Sequence, residues 1–220
     1  MSMRTLAFAV CIALSATAAQ AGSTGPDIDK VNGSIRLEEG QLGGDLETVN
    51  GSIYLGNHAK ADSADTVNGS IELGDDTEAR SLETVNGAIS LGQRARVSGD
   101  IESVNGAITL ERGADVKGKL SNVNGRIRTE SARVGGDIET VAGDIDIGAD
   151  SRIDGGILVE KPSGWSWGKQ KNPRVVIGPN AVVTGRLVFH RDVDLFISDS
   201  AKVGAIEGAT ARRFSGSSPN

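Results

Sequence analysis

"ETVNGSI", residues Glu47 to Ile53, decides the fold, because close copies of it return along nearly the whole chain. Val-Asn-Gly occurs at Val31, Val49, Val67, Val85, Val104 and Val123, and Val141-Ala142-Gly143 continues the series. The steps are 18, 18, 18, 19, 19 and 18 residues. So regular a period marks a repeat architecture, in which each unit is one supersecondary element that its neighbours complete.

The unit from Val85 carries aliphatic residues at Val85, Ile89, Leu91, Ala95, Val97 and Ile101. Ile89-Ser90-Leu91 alternates with the period of two that marks a strand. The spacing breaks at Asn86-Gly87 and near Gly99, so the chain bends there. Asn and Gly are the residues that most readily take up positive φ, which predicts left-handed corners at Asn-Gly. No window sustains helical periodicity, and helix-pair repeats need about 33 residues or more. Left-handed hexapeptide coils place an aliphatic residue at every sixth position. Here Val85, Ile89, Leu91 and Ile101 step by four, two and ten, which excludes them.

The spacing therefore predicts an all-β chain: one parallel β-helix, or β-solenoid, of about nine coils with 18–19 residues each. Stacking buries the aliphatic positions, Ile on Ile and Val on Val, while each backbone pairs with the coils above and below. "GGILVEK" (155–161) enters an eighth coil, "KPSGWSWGKQKNP" (161–173) interrupts it, and "RVVIGPNAVVTGRLVF" (174–189) resumes it. "DVDLFISDSAKVGAIEGA" (192–209) reads as a ninth. At ~4.8 Å per coil the rod is about 40 Å long. Domain boundaries follow: solenoid over 22–208, with a loop insertion at 161–174, and a polar tail over 209–220 in which Phe214 is placed to fold over the last coil as a cap.

Residues 1–21 have a different pattern. One Arg, a short apolar run and Ala19-Gln20-Ala21 form a secretory signal peptide with a small-residue cleavage site. The apolar run is shorter than the roughly 20 residues that a membrane span needs. Cys11, the single cysteine of the 220 residues, lies inside it, so the processed chain offers no thiol chemistry. No later stretch is apolar enough to span a bilayer, and the processed protein is expected in the periplasm, at the cell surface or outside the cell. The whole chain has 23 basic and 29 acidic residues; loss of Arg4 leaves 22 against 29, a net charge of −7. Such a chain repels a phosphate backbone, so nucleic acid is not an expected partner. Aromatic residues make up 3% and glycines number 30, a composition for frequent turns and small aliphatic packing.

Two stretches, "GADVKGKLSNVNGRI" (113–127) and "ARVGGDIETVAGDIDIG" (132–148), resemble the repeats of bactofilins. "ETVNGSIYLG" (47–56) is similar to the repeats of the bacterial adhesin-like β-solenoid family. The resemblance covers about residues 28–208. It implies a right-handed β-helix and a role in structure or interaction rather than catalysis. Bactofilins are typically cytoplasmic polymers, and the export signal here departs from that. The adhesin-like envelope group is therefore the closer expectation, with end-to-end self-assembly as the bactofilin-like alternative.

The residues hold little catalytic chemistry. His58 and His190 fall in coils far apart, and no phosphate loop or metal-ligand spacing occurs. No enzyme activity and no cofactor are expected. Asn32, Asn50 and Asn68 each open an Asn-Gly-Ser triplet that matches a glycosylation sequon, but the repeat itself explains them. Two features stand out. Asp29, Glu47, Asp65, Glu83, Glu102, Ser121 and Glu139 each sit two residues before a repeat valine, so stacking lines up six acids in one outward column. Such a column is either a solvated face that blocks lateral sheet stacking or a candidate site for cations or a basic partner. Trp165 and Trp167 lie in the insertion with Lys161, Lys169, Lys171 and Arg174. Either they fold back on the solenoid, or they form a contact loop for a protein or cell-envelope glycan.

Overall fold

A computed structural model of the chain describes residues 25–162 and 171–219. All of the regular structure in these residues is β-strand, and the chain winds as a parallel solenoid of about nine turns. Each turn contributes to three sheets. Sheet one has 10 strands, from Ile28–Asn32 to Ile206–Glu207; sheet two has 10, from Ile35–Leu37 to Arg212–Phe214. Sheet three has 7, from Glu78–Ala79 to Lys202–Val203, and the single bridges Leu42 to Lys60 and Lys60 to Glu78 carry its line into the first turns.

The register stacks like on like. In sheet two the inward column is Ile35, Ile53, Ile71, Ile89, Ile108, Ile127, Ile145, Val175 and Leu195, all buried. Sheet one supplies Leu46, Ala64, Leu82, Ile101, Leu120, Ile138, Ile157 and Leu187. Sheet three supplies Ala79, Val97, Val116, Val134, Ile153 and Val183. The insertion leaves the register undisturbed, since Ile145 still pairs Val175 across it.

Every residue of the repeat motif has a distinct physical task. The threonines before Val49, Val67 and Val85 point inward, and Thr48, Thr66 and Thr84 donate to the carbonyls of Gly33, Gly51 and Gly69 at 3.1, 2.9 and 3.0 Å. The asparagines form a ladder: Asn50, Asn68, Asn86 and Asn105 each donate a side-chain amide to the preceding asparagine Oδ1 at 3.1 Å, and Asn124 does so at 3.0 Å. The glycine lets successive coils touch. A Cβ at Gly51, Gly69, Gly87 or Gly106 would collide with the carbonyl of the glycine one coil back.

Three expectations are corrected. The repeat valines are not core: Leu46 and Thr48 are buried, so Val49 turns outward with Glu47, and Val31 is 63% exposed. The interior at that point is filled by threonine, whose hydroxyl has a backbone acceptor and so can be buried. The left-handed corner does not follow the Asn-Gly pairs as a rule, although Gly33 and Gly125 have φ of 107° and 130°. It falls at Gly40, His58, Asp76, Arg94, Gly113, Ser131, Asp150 and Asn180, once in each of the first eight turns between sheets two and three. Finally, residues 212–214 are not tail. They form the last strand of sheet two, with Phe214 opposite Ser198 rather than folded over it as a cap. The strand Asp194–Ser198 would otherwise present an open edge, and Arg212–Phe214 satisfies its backbone groups.

Candidate functional site

The outer face of sheet one gathers the acidic residues. The register runs Asp29, Glu47, Asp65, Glu83, Glu102, Ser121, Glu139 without a slip. Five of these carboxylates are consecutive, each about 4.8 Å from the next along the stack. Beyond Glu139 the column continues as Leu158, Val188 and Glu207. Beside it, two residues on, stand Val31, Val49, Val67, Val85, Val104, Val123 and Val141, each at least partly exposed. The face is thus a stripe of charge beside a stripe of apolar surface, bordered by the exposed side of the asparagine ladder.

Like charges opposite one another on paired strands repel, and the titration of the column reflects this. Asp65 is pushed up to about 7, first by burial and then by Glu83, Glu47 and Asp45, against the opposing hydrogen bond of Ser63. Ser63 Oγ lies 2.9 Å from Asp45 Oδ1 and 3.0 Å from Asp65 Oδ2, so one hydroxyl proton serves two carboxylates. Glu47 is raised by burial and by Asp29, Asp45 and Asp27. Glu83 is raised by burial and by Glu102. Relief comes at one end, where Ser121 interrupts the acids. There Lys119 Nζ binds Glu102 Oε1 at 3.0 Å, and its charge also opposes the burial that raises Glu139. Among the described residues no group of three or more His, Cys, Asp or Glu side chains is arranged to hold a metal ion.

Of the insertion residues, Trp165, Trp167 and Lys169 lie outside the described residues. Lys171 is exposed at the return to the coil, its carbonyl 3.5 Å from Arg191 Nη2. Arg191 also donates to Val141 O at 3.1 Å, which ties this return to the end of the repeat series. His190 Nδ1 is 2.8 Å from Glu160 Oε2, and His58 occupies a left-handed corner. The register therefore unites the six acids but brings no histidine to them.

One surface is absent from the sequence reading. The outward column of sheet three is Lys60, Glu78, Arg96, Asp115, Arg133 and Arg152, alternating in sign through its first five members. Lys60 binds Glu78 at 3.0 Å, and Arg133 and Arg152 grip Asp154 at 2.7 and 2.6 Å. A groove of about 290 Å³ opens there between Lys60, Arg80, Arg96, Asp115 and Lys117. The signal was available: each of these charges directly precedes a buried Ala, Val or Ile. It escaped notice because its residue types vary where the Val-Asn-Gly motif does not.

Among the described residues no helix is long and apolar enough to cross a membrane. In comparisons with protein families, with curated proteins and with solved structures, the chain has no match.

Proposed function

We propose that the chain is an exported, non-enzymatic structural or interaction protein of a bacterial cell envelope, an adhesin-like rod that displays one acidic face. The reading rests on one observation above all: five carboxylates, Asp29 to Glu102, stand in register on an outward sheet face beside partly exposed valines. The fold gains nothing from this column, because alternating charges such as those on sheet three would pair its strands better. A face that costs stability and is carried through five successive coils fits a surface kept for contact. The signal-like pattern of residues 1–21 supports a location outside the cytoplasm, and the partner on this reading is a protein or an envelope glycan.

Cell fractionation, followed by cross-linking of the exported protein in intact cells, tests this. Wild-type protein is expected in the envelope or medium with a cross-linked partner. A Glu47→Gln, Asp65→Asn, Glu83→Gln variant is expected there without one. A cytoplasmic location, or capture unchanged in the variant, overturns the reading.

A second reading, end-to-end assembly in the manner of bactofilins, draws on a separate observation. The exposed large hydrophobic residues among those described are Val31 at 63% and Leu42 at 51%, both in the first turn. The strands there, Ile28–Asn32 and Ile35–Leu37, pair on one side only. Light scattering distinguishes the two readings: assembly predicts oligomers that Val31→Lys with Leu42→Lys disperses, and a display rod predicts a monomer in both.

A further inference from the structure

The six Asn-Gly pairs are identical in sequence and unequal in structure. Asn-Gly is the dipeptide most open to internal attack, because the glycine nitrogen reaches the asparagine side-chain carbon unhindered by a side chain of its own. At five of the six copies that nitrogen is held. Gly33, Gly51, Gly69, Gly87 and Gly106 donate N–H to the carbonyls of Asn50, Asn68, Asn86, Asn105 and Asn124 one coil on, at 2.9, 3.1, 3.0, 3.1 and 2.9 Å. The side-chain ladder locks the same asparagines: each Oδ1 from Asn32 to Asn105 receives the amide of the next.

Both restraints stop at Asn124. Its Nδ2 donates back to Asn105, but the next coil carries Ala142 in the register position, with no amide to donate to Asn124 Oδ1. The seventh turn also closes differently. Ala142 donates its N–H to Val123 O at 2.9 Å, and Gly143 donates to Thr140 Oγ1 at 3.0 Å. Among the described residues Gly125 N–H has no hydrogen-bond partner, and Gly125 is exposed with φ of 130°. The strand Leu120–Asn124 ends at this residue, so the peptide to be rotated is the first one outside the ladder.

We propose that Asn124–Gly125 is a site of spontaneous covalent modification, at which the folded protein converts asparagine to aspartate and isoaspartate ahead of the other five copies. The Gly125 nitrogen loses its proton to solvent base and attacks Asn124 Cγ. A C–N bond forms, the Cγ–Nδ2 bond breaks, and ammonia leaves with a proton from water. Water then opens the cyclic imide. Cleavage of its bond to Cγ gives aspartate, and cleavage of its bond to the main-chain carbonyl carbon gives isoaspartate. No oxidant or reductant is involved. Either product places a new negative charge at the junction of the sixth and seventh coils, and isoaspartate also adds a methylene to the backbone there.

Peptide mapping by mass spectrometry, on folded protein incubated in mildly alkaline buffer, reads each asparagine separately. Asn124 is expected to convert about tenfold faster than any of Asn32, Asn50, Asn68, Asn86 and Asn105, the factor that one ordinary hydrogen bond contributes. In denaturant the six are expected to react alike. Ala142→Asn extends the ladder by one rung and is expected to slow Asn124 severalfold in folded protein. Equal rates at all six sites in the folded protein, or a faster site elsewhere, overturn the proposal. So does an unchanged Asn124 rate in an Ala142→Asn variant whose circular dichroism matches wild type; should that variant not fold, the wild-type comparison decides.

Discussion

Asp65 and Glu83 stand directly opposite each other on adjoining coils of sheet one, carboxyl facing carboxyl along the stack. Burial of Asp65 and the charge of Glu83 act in the same sense, so its carboxyl holds a proton up to about pH 7 in the folded state. The unfolded value is 3.8, so the folded state binds the proton more tightly. Above pH 7 both states are ionised, and the native protein bears the full repulsion. As the pH falls through 7 towards 4 the native state alone takes up the proton, and stability rises.

The melting temperature is therefore expected to rise between pH 8 and pH 5. Asp65→Asn should stabilise the protein at pH 8 by about 1–2 kcal/mol, a value reduced for solvent screening, or roughly 3–6 °C. The same substitution should flatten the slope. Below about pH 4 the direction reverses, because Asp76 and Asp154, held low by hydrogen bonds from Arg94 and Arg133, then lose their pairing. Thermal melts across this range check the sign, and a melting point that falls steadily from pH 8 to pH 5 would contradict it.

Ile89 is fully buried between Ile71 and Ile108, whereas Ser90, one residue on, faces outward. Ile89→Asp should cost several kcal/mol by burying an unpaired charge, and Ser90→Asp should stay within about 0.5 kcal/mol of wild type. Denaturant midpoints compare them, and equal losses would refute the register.

Thr129 interrupts the inward column between Leu110 and Ile147, and its buried hydroxyl has no hydrogen-bond partner. Thr129→Val keeps the branched shape and removes the unpaired group. It is expected to stabilise the protein by about 1 kcal/mol, roughly 3 °C in melting temperature.

Two kinds of corner should respond in opposite ways. At Gly69 an added Cβ meets the Gly51 carbonyl, so Gly69→Ala should cost several kcal/mol and separate neighbouring coils. At His58, with φ of 60°, relief of left-handed strain nearly offsets the chain entropy that glycine adds. His58→Gly is then expected within about 1 kcal/mol of wild type, and His58→Val below both. A severe loss on His58→Gly would show that the corner depends on the imidazole itself.

Much of this protein is determined by sequence alone. An 18–19-residue period with Ile-x-Leu at a constant offset leaves a chain only one way to bury such small aliphatic sets, by stacking coil on coil. The acidic column was legible for the same reason: a constant offset in a stacked repeat becomes a straight line in space. Tertiary structure decided whatever depends on which way a residue faces or what lies one coil away. Val49 could not be told from core until Thr48 found the Gly33 carbonyl, because an inward threonine is excluded unless a partner waits for it. The glycine of the motif is required by the carbonyl of the glycine one coil back, and the left-handed corner falls on His58, Arg94 and Ser131, types that do not announce it. Asn124 differs from its five copies because the coil beyond it brings no side-chain amide to its Oδ1 and takes no hydrogen bond from Gly125 N–H, a difference of neighbours that only the stacked structure expresses.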